Sequence, residues 1–351
     1  AYSFGLERGQ YALISVEQSK GLLQAALVDP DRTKQTPVTL DEGKTSIIRL
    51  PVIAVQGGAY SIDVACRVPL RGMCGGTISI SAPRPVSAED RELAQARSLL
   101  ARAEESRREG NRNTWPEALR EYNQVIRAVK LLHRPELLRA ALTGKARLLL
   151  FDLNHYQGAA ATAALAAEVS SATGDLAGQA LAWKTLGSAR YYLGDYPGSR
   201  DAGKRALALY RSTGDEYWQG IVLGNLAYQD KETGDTDEGL VEASSALKIA
   251  QAIGDGYGID FDLETLATLH LERGEMESAF EFYQRALDAL QKQPYPDEAD
   301  AVWNGLGELY TQLHDAGRAR EALQNALYFS AKAHDTAGEL EIVSNLGDLS
   351  L

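Results

Sequence analysis

Cysteine and histidine are scarce in this chain, which has two Cys and five His among 351 residues. Because these residues are widely spread, their spacing assembles no zinc-ligand cluster. No apolar run approaches the ~18–20 residues that a membrane-spanning helix needs. A Gly-x-Ser-x-Gly elbow and a glycine-rich phosphate loop are also missing from the sequence. We therefore expect no metal, no cofactor, no membrane span and no catalytic residue in this chain.

Positive charge is sparse over the later part of the chain. Residues 136–351 carry 17 basic and 33 acidic side chains, whereas residues 91–135 carry ten basic and six acidic ones. Nucleic-acid binding requires a cationic surface, so the sequence argues against a nucleic-acid partner. The basic stretch could steer an acidic partner, or it could form a solvated face with its own salt bridges.

The two cysteines, Cys66 and Cys74, flank residues 68–73, which have the composition of a hairpin loop. A disulfide across such a loop is geometrically possible and would suit an oxidising compartment. Two buried free thiols are the alternative. The pair also weakly favours a location outside the cytoplasm.

The first 86 residues have a β-like pattern that the rest of the chain lacks. Short runs rich in β-branched residues are separated by glycine and Asp-Pro-Asp turns, and this composition predicts a small antiparallel β-sandwich. The runs are residues 11–17, 22–28, 45–55, 60–65 and 77–81. At Pro83 and Pro85 the strand pattern stops. Ser87 with Asp90 three residues later then predicts the N-cap and first turn of a helix.

A 40-residue period governs the remainder of the chain. Its markers are Leu186-Gly187, Leu226-Ala227, Leu266-Ala267, Leu306-Gly307 and Leu346-Gly347, with Gly194-Asp195, Gly234-Asp235, Gly274-Glu275 and His314-Asp315 in step. Such a period is typical of a solenoid, in which each unit covers the apolar face of its neighbour. We predict helix pairs at about 88–134, 135–174, 175–214, 215–254, 255–294 and 295–334, the first two degenerate, and then an unpaired helix within 336–351.

The repeated residues resemble the tetratricopeptide repeat (TPR) consensus. The best copy has Trp303, Leu306-Gly307 and Tyr310, followed by Ala319 and Ala326. The resemblance implies an all-α solenoid with a right-handed superhelix and a concave groove lined by the first helix of each pair. The period is longer than the usual ~34 residues, as in TPR arrays of the kinesin-light-chain type.

The N-terminal segment resembles a bacterial pre-peptidase C-terminal-like β-sandwich. Its resemblance lies in Gly9-Gln10-Tyr11, residues 16–18, the turn at 27–31 and residues 58–64. In bacterial proteins with this order of modules, a CHAT domain, which has a caspase-like Cys/His protease fold, often follows the repeats. The resemblance implies three segments, namely a β-sandwich at 1–86, a degenerate helical pair at 87–134 and a TPR array at 135–351. It also implies a C-terminal domain beyond Leu351 and favours a periplasmic or secreted location.

The candidate binding residues lie beside the Leu-Gly core pairs, where the TPR resemblance places the groove. They are Lys184, Ser188, Tyr191, Asn225, Tyr228, Lys231, Glu264, Asn304, Glu308 and Asn345. In TPR families with the longer unit, an Asn just before Leu-Gly or Leu-Ala often bonds a peptide backbone, since a carboxamide both donates and accepts hydrogen bonds. Asn225 and Asn345 match that position. An ordinary wetted helix face without a ligand is the alternative for these side chains.

Two functions follow from this organisation. The first is a non-catalytic scaffold that binds a peptide or protein partner in the groove. The second is a structural module that associates with copies of itself. We expect the three acidic residues within 235–238, and Asp260 and Asp262, to lie at solvated helix N-termini, because acidic side chains suit the helix dipole there.

Overall fold

A computed structural model describes residues 2–20, 23–31, 38–39, 47–66, 75–291, 296–333 and 336–349. The chain divides into two compact units, unit 1 at residues 1–193 and unit 2 at residues 194–351. Unit 1 contains all the described strands and the first five α-helices, and unit 2 contains the other eight α-helices. Each unit has its own order of elements.

The strands of unit 1 form two antiparallel sheets. They are β1 (Tyr2–Leu6), β2 (Gln10–Lys20), β3 (Leu23–Val28), β4 (Val38–Thr39), β5 (Ile47–Ile53), β6 (Gly58–Cys66), β7 (Gly75–Ile80) and β8 (Arg84–Pro85). One sheet has the order β1-β6-β3-β4, and the other has the order β5-β2-β7, with β8 also paired to β2. The central strand β2 places Ile14 opposite Leu50 and Ile80.

Both sheets contribute side chains to one core. Ala12, Ile14 and Val16 alternate along β2 and are buried, as strand periodicity requires, and they pack in one cluster with Leu27 and Ile62 from the other sheet. The predicted runs coincide with β2, β3, β5, β6 and β7, whereas β1 and β4 were not predicted. The last described strand, β8, pairs Pro85 with Gln10, so the strand pattern ends at Pro85, within the predicted stretch from Pro83 to Pro85.

The predicted helix start after the sheets is confirmed. Ser87 caps the first helix, and the Asp90 carboxylate accepts from the Ser87 backbone N–H at 2.8 Å, which completes a capping box. The Arg84 guanidinium donates to both oxygens of Asp90 at 2.6 and 2.7 Å, and its charge lies 4.4 Å from the Tyr11 ring centroid. These hydrogen bonds hold the pKa of Asp90 well below its usual range.

The helices follow the predicted pairing. Unit 1 has α1 (Ala88–Arg108), α2 (Trp115–Leu131), α3 (Pro135–Arg147), a π-helical segment (Leu148–Asp152), α4 (Tyr156–Thr173) and α5 (Leu176–Tyr192). Unit 2 has α6 (Tyr196–Thr213), α7 (Glu216–Thr233), α8 (Thr236–Ile253), α9 (Gly256–Glu272), α10 (Met276–Leu290), α11 (Pro296–Gln312), α12 (Ala316–Ala333) and α13 (Thr336–Asp348). Among the described residues no strand follows Ser87.

Each Gly-Asp marker ends one helix and begins the next. Gly214 ends α6 in the left-handed region at φ 68°, which glycine adopts without a Cβ clash. Asp215 then caps α7 by accepting from the Trp218 backbone N–H at 3.3 Å. In the repeat where His314-Asp315 replaces Gly-Asp, His314 adopts the same left-handed backbone conformation, with φ 59°.

A shared core joins successive helices of unit 2. Leu266 on α9, Tyr283 on α10 and Leu306 on α11 are buried in one cluster. Leu266 and Leu306 stand 40 residues apart, at positions that the sequence marks as core. Each helix pair therefore buries its apolar face against the next pair, which is the defining property of a repeat solenoid.

None of the helices in the described part of the chain is both long and apolar enough to cross a membrane.

Candidate functional site

In unit 2 the first helices of successive pairs pack side by side. Helix α7 contacts α9, α9 contacts α11, and α11 contacts α13. Seven of the predicted binding residues lie on these four helices. They are Asn225, Tyr228, Lys231, Glu264, Asn304, Glu308 and Asn345. We call the surface formed by these seven residues the first-helix face.

The other three predicted residues lie on α5 in unit 1. Lys184 is partly buried, and burial, with a smaller contribution from Arg147, lowers its pKa to about 8. Ser188 is also partly buried. The rings of Tyr191 and Tyr192 form a T-shaped contact with 5.5 Å between their centroids. Lys184 therefore keeps its positive charge at pH 7, because that pH lies below its pKa.

An aromatic and cationic group occupies the first-helix face on α7. The Lys231 ammonium lies 4.4 Å from the centroid of the Tyr228 ring, and the Tyr228 ring lies 5.9 Å from that of Phe261 on α9. The Lys231 side chain is only 15% exposed. The stacking fixes the ammonium position, because a cation over a ring face is held by the ring quadrupole.

Glu264 on α9 is buried and hydrogen-bonded. Its carboxylate accepts from the Thr268 hydroxyl at 2.8 Å, and Thr268 lies 3.0 Å from the Tyr283 hydroxyl. Burial raises the pKa of Tyr283 above its ordinary value, and the negative charge of Glu264 raises it further. The tyrosine therefore remains a neutral hydrogen-bonding group at any physiological pH.

Carboxamide and carboxylate side chains form a network between α11 and α13. Asn345 Nδ2 donates to Asn304 Oδ1 at 3.0 Å and to Glu308 Oε1 at 3.5 Å, while Asn304 Nδ2 donates to Glu341 Oε1 at 3.1 Å. Burial, and then the nearby charge of Glu341, raise the pKa of Glu308. The network links three of the predicted residues, Asn304, Glu308 and Asn345, by hydrogen bonds.

Asn225 stands apart from that network. Its side chain is exposed, and it lines a cavity of about 260 Å³ together with residues of α7, α8 and α9. The matching Asn position holds Thr265 on α9 and Gly305 on α11. Thr265 is fully buried, and a Cβ at Gly305 would overlap the Tyr283 phenol. Those two positions serve packing, so among α7, α9 and α11 this position holds an exposed carboxamide on α7 alone.

The prediction that Asp260 and Asp262 are solvated was wrong. Asp260 is 0% exposed and Asp262 is 3% exposed, and both lie within α9 beyond its first turn. Burial raises the pKa of Asp260 to about 6. The helix-dipole argument placed both acids at a helix N-terminus, but α9 already begins at Gly256.

Two groups of polar contacts were not predicted from the sequence. Arg200 on α6 contacts Asp230, Glu238 and Glu242, which lie 30 to 42 residues later. His270 Nδ1 lies 2.6 Å from Glu275 Oε2 across the turn that ends α9. The spacings of 38 and 42 residues to Glu238 and Glu242, close to one 40-residue repeat, were the available signal for two of the Arg200 contacts.

The predicted disulfide cannot be placed, because Cys74 and the side chain of Cys66 lie outside the described residues. The bond between Cys66 and Cys74 stays a prediction.

No protein-family model matches this chain, and no curated protein matches it. Solved structures are similar to it. BtubC from P. vanneervenii has a TM-score of 0.52 and 16% identity over 71% of this chain and 94% of its own. The apo form of the quorum sensor NprR from B. thuringiensis has a TM-score of 0.56 and 14% identity over 73% of this chain and 68% of its own. A STAND protein from Pyrococcus horikoshii with a tetratricopeptide repeat sensor has a TM-score of 0.52 and 15% identity over 75% of this chain and 42% of its own. At these identities the likeness shows the fold alone, and that fold is a TPR-like helical solenoid.

Proposed function

We propose that this chain is a non-catalytic interaction scaffold that binds an extended peptide segment of a partner protein. The segment would lie on the first-helix face of unit 2, in the concave groove of a right-handed TPR superhelix. Lys184, Ser188 and Tyr191 on α5 are proposed to serve the same purpose in unit 1. The similarity to the apo quorum sensor NprR and to the STAND tetratricopeptide repeat sensor supports this class of function.

The observation that carries the proposal is the ordered row of polar side chains on α7, α9, α11 and α13. An extended peptide needs partners for its backbone N–H and C=O groups, because unpaired buried amides are costly. The exposed Asn225 carboxamide can both donate and accept. Lys231 adds a fixed donor, held over Tyr228 at 4.4 Å. Prior ordering of such groups lowers the entropy lost on binding.

A displayed random-peptide library, selected on the immobilised chain, tests the proposal. The Asn225→Ala/Lys231→Ala double variant should lose the selected peptides by at least about tenfold in affinity, since hydrogen bonds at such sites contribute about 1 kcal/mol or more each. An Asp288→Asn variant, changed at an exposed position on α10, should bind as the wild type does. Equal binding by all three proteins would contradict the proposal that peptides bind at Asn225 and Lys231.

Self-association is the second candidate function. Leu340 and Val343 on α13 are 70% and 52% exposed, and such apolar residues on one helix favour contact with another chain. Light scattering over a range of concentrations separates the two candidates. A mass that stays monomeric removes the assembly function.

The family context is part of the proposal. We propose that residues 1–86 form a pre-peptidase C-terminal-like sandwich, because their two antiparallel sheets share one core. The proposed segment boundaries remain 1–86, 87–134 and 135–351. A CHAT-type protease domain beyond Leu351 and a periplasmic or secreted location are proposed from the resemblance. Reading the gene past Leu351 tests the first of these, and cell fractionation tests the second.

A further inference from the structure

The cavity beside Asn225 is a second feature of unit 2 that could hold a ligand. It has a volume of about 260 Å³ and lies between α7, the end of α8 and α9. Glycine at 220, 224 and 258 keeps part of its wall free of side chains. This volume is below the ~300–1,000 Å³ of typical small-molecule sites. The cavity therefore suits one large side chain better than a whole cofactor.

Aromatic rings form much of the lining. Tyr217 on α7 and Tyr257 on α9 are 41% and 45% exposed, and Phe261 lies one turn after Tyr257. Exposed rings around a cavity offer π-faces to a cation or to a planar group. They also lie next to the Tyr228 ring, since Tyr228 and Phe261 are 5.9 Å apart.

The charge of the lining has one sign. Asp255 and Asp262 both line the cavity, and no lysine or arginine is among its lining residues. Asp262 approaches the α7 backbone closely, because a Cβ on Gly224 would lie 2.8 Å from its Oδ1. Asp255 precedes α9, yet its carboxylate caps no backbone N–H of that helix, whereas Asp215 does so for α7. Two carboxylates and several rings around one cavity match a cationic, planar group.

We propose that this cavity binds the side chain of an arginine in the partner peptide. This inference rests on the proposed peptide-binding function and names the chemistry of one recognised residue. The guanidinium stacks on the rings of Tyr217, Tyr257 and Phe261 and donates hydrogen bonds to Asp262 and Asp255. Arginine fits better than lysine because its flat fork of donors both stacks and bonds a carboxylate through two N–H groups. Asn225 at the rim then lies where the arginine's own backbone amide passes.

The direct test uses N-acetyl-arginine amide as the probe and NMR of the whole 351-residue chain. We expect millimolar binding, with amide shifts concentrated at Gly220, Gly224 and Gly258. N-acetyl-citrulline amide has nearly the same shape without the charge and should bind at least tenfold more weakly. N-acetyl-lysine amide should bind at least threefold more weakly. Equal affinities for arginine and citrulline, or shifts outside the cavity, would overturn the proposal.

Variants separate this proposal from the proposed function. Asp262→Asn and Asp255→Asn should each weaken the arginine probe at least fivefold, while Asp288→Asn leaves its affinity unchanged. Asp255 is only partly buried, so its variant keeps the test valid if Asp262→Asn fails to fold. Suppose that selected peptides need Asn225 and Lys231 but contain no arginine and bind both variants normally. The arginine assignment then fails and the scaffold function stands.

Discussion

Removal of Arg200 should destabilise unit 2 strongly. Arg200 on α6 contacts Asp230 on α7 and lies 3.5 Å from Glu242 on α8. The Asp230 side chain is 1% exposed and that of Arg200 is 17% exposed, so the pair is largely removed from water. Arg200→Met keeps the apolar stem and removes the charge. The variant leaves Asp230 buried without its counterion.

The magnitude follows from the burial of each partner. Breaking a buried ion pair by removing one partner costs about 3–5 kcal/mol, because the remaining charge is still desolvated. The third contact, with Glu238, contributes at most about 1 kcal/mol, because that side chain is 65% exposed. We therefore expect Arg200→Met to lower the free energy of unfolding by about 3–5 kcal/mol. Arg200→Met/Asp230→Leu should recover most of this loss, since it removes both charges.

Urea denaturation at pH 7, followed by circular dichroism, measures these differences. Arg205→Met on the same helix is the matched control. Arg205 pairs with Asp201 at 2.9 Å, but their side chains are 55% and 54% exposed, so its loss should cost less than about 1 kcal/mol. Similar losses of stability in Arg200→Met and Arg205→Met would contradict this prediction, and so would a double variant that is no more stable than Arg200→Met.

Three further predictions concern single positions. Because folding raises the pKa of Asp260 from 3.8 to about 6, the folded state holds a proton that the unfolded chain has released. Stability should therefore fall by up to roughly 3 kcal/mol as pH rises from about 4 to 6, and thermal melts of Asp260→Asn over this range should show a weaker fall. Gly305→Ala should cost about 1–3 kcal/mol in a urea titration, because its methyl group overlaps the buried Tyr283 phenol; unchanged stability contradicts the packing. His314→Gly should raise the melting temperature by a few degrees, since His314 has φ 59° and left-handed backbone costs a non-glycine residue about 1–2 kcal/mol; a lower melting temperature counts against the strain.

Helix positions could be predicted from the sequence because their signals are local. Gly214-Asp215 ends one helix and caps the next through its own backbone and side chain. The Ser87 cap with Asp90 is equally local and was predicted correctly. The 40-residue period then extends such signals along the array, so the order of the helix pairs needs no knowledge of tertiary contacts.

Contacts between helices were harder to predict. Asp260 is buried by its contacts with other helices, which the sequence does not show. Because acidic side chains are usually exposed, its residue type predicts exposure instead. The π-helical segment at Leu148–Asp152 has no sequence marker either. The cavity beside Asn225 arises because glycines on α7 and α9 face a common space. The 40-residue period places Gly220 in a helix but does not indicate that it lines a cavity.

Hydrogen–deuterium exchange with a selected peptide tests the central claim most directly. If an extended peptide binds the first-helix face, saturation with it should slow exchange in α7, α9 and α11 and leave α10 and α12 nearly unchanged. Protection confined to the second helices, or to the strands of unit 1, would contradict the account.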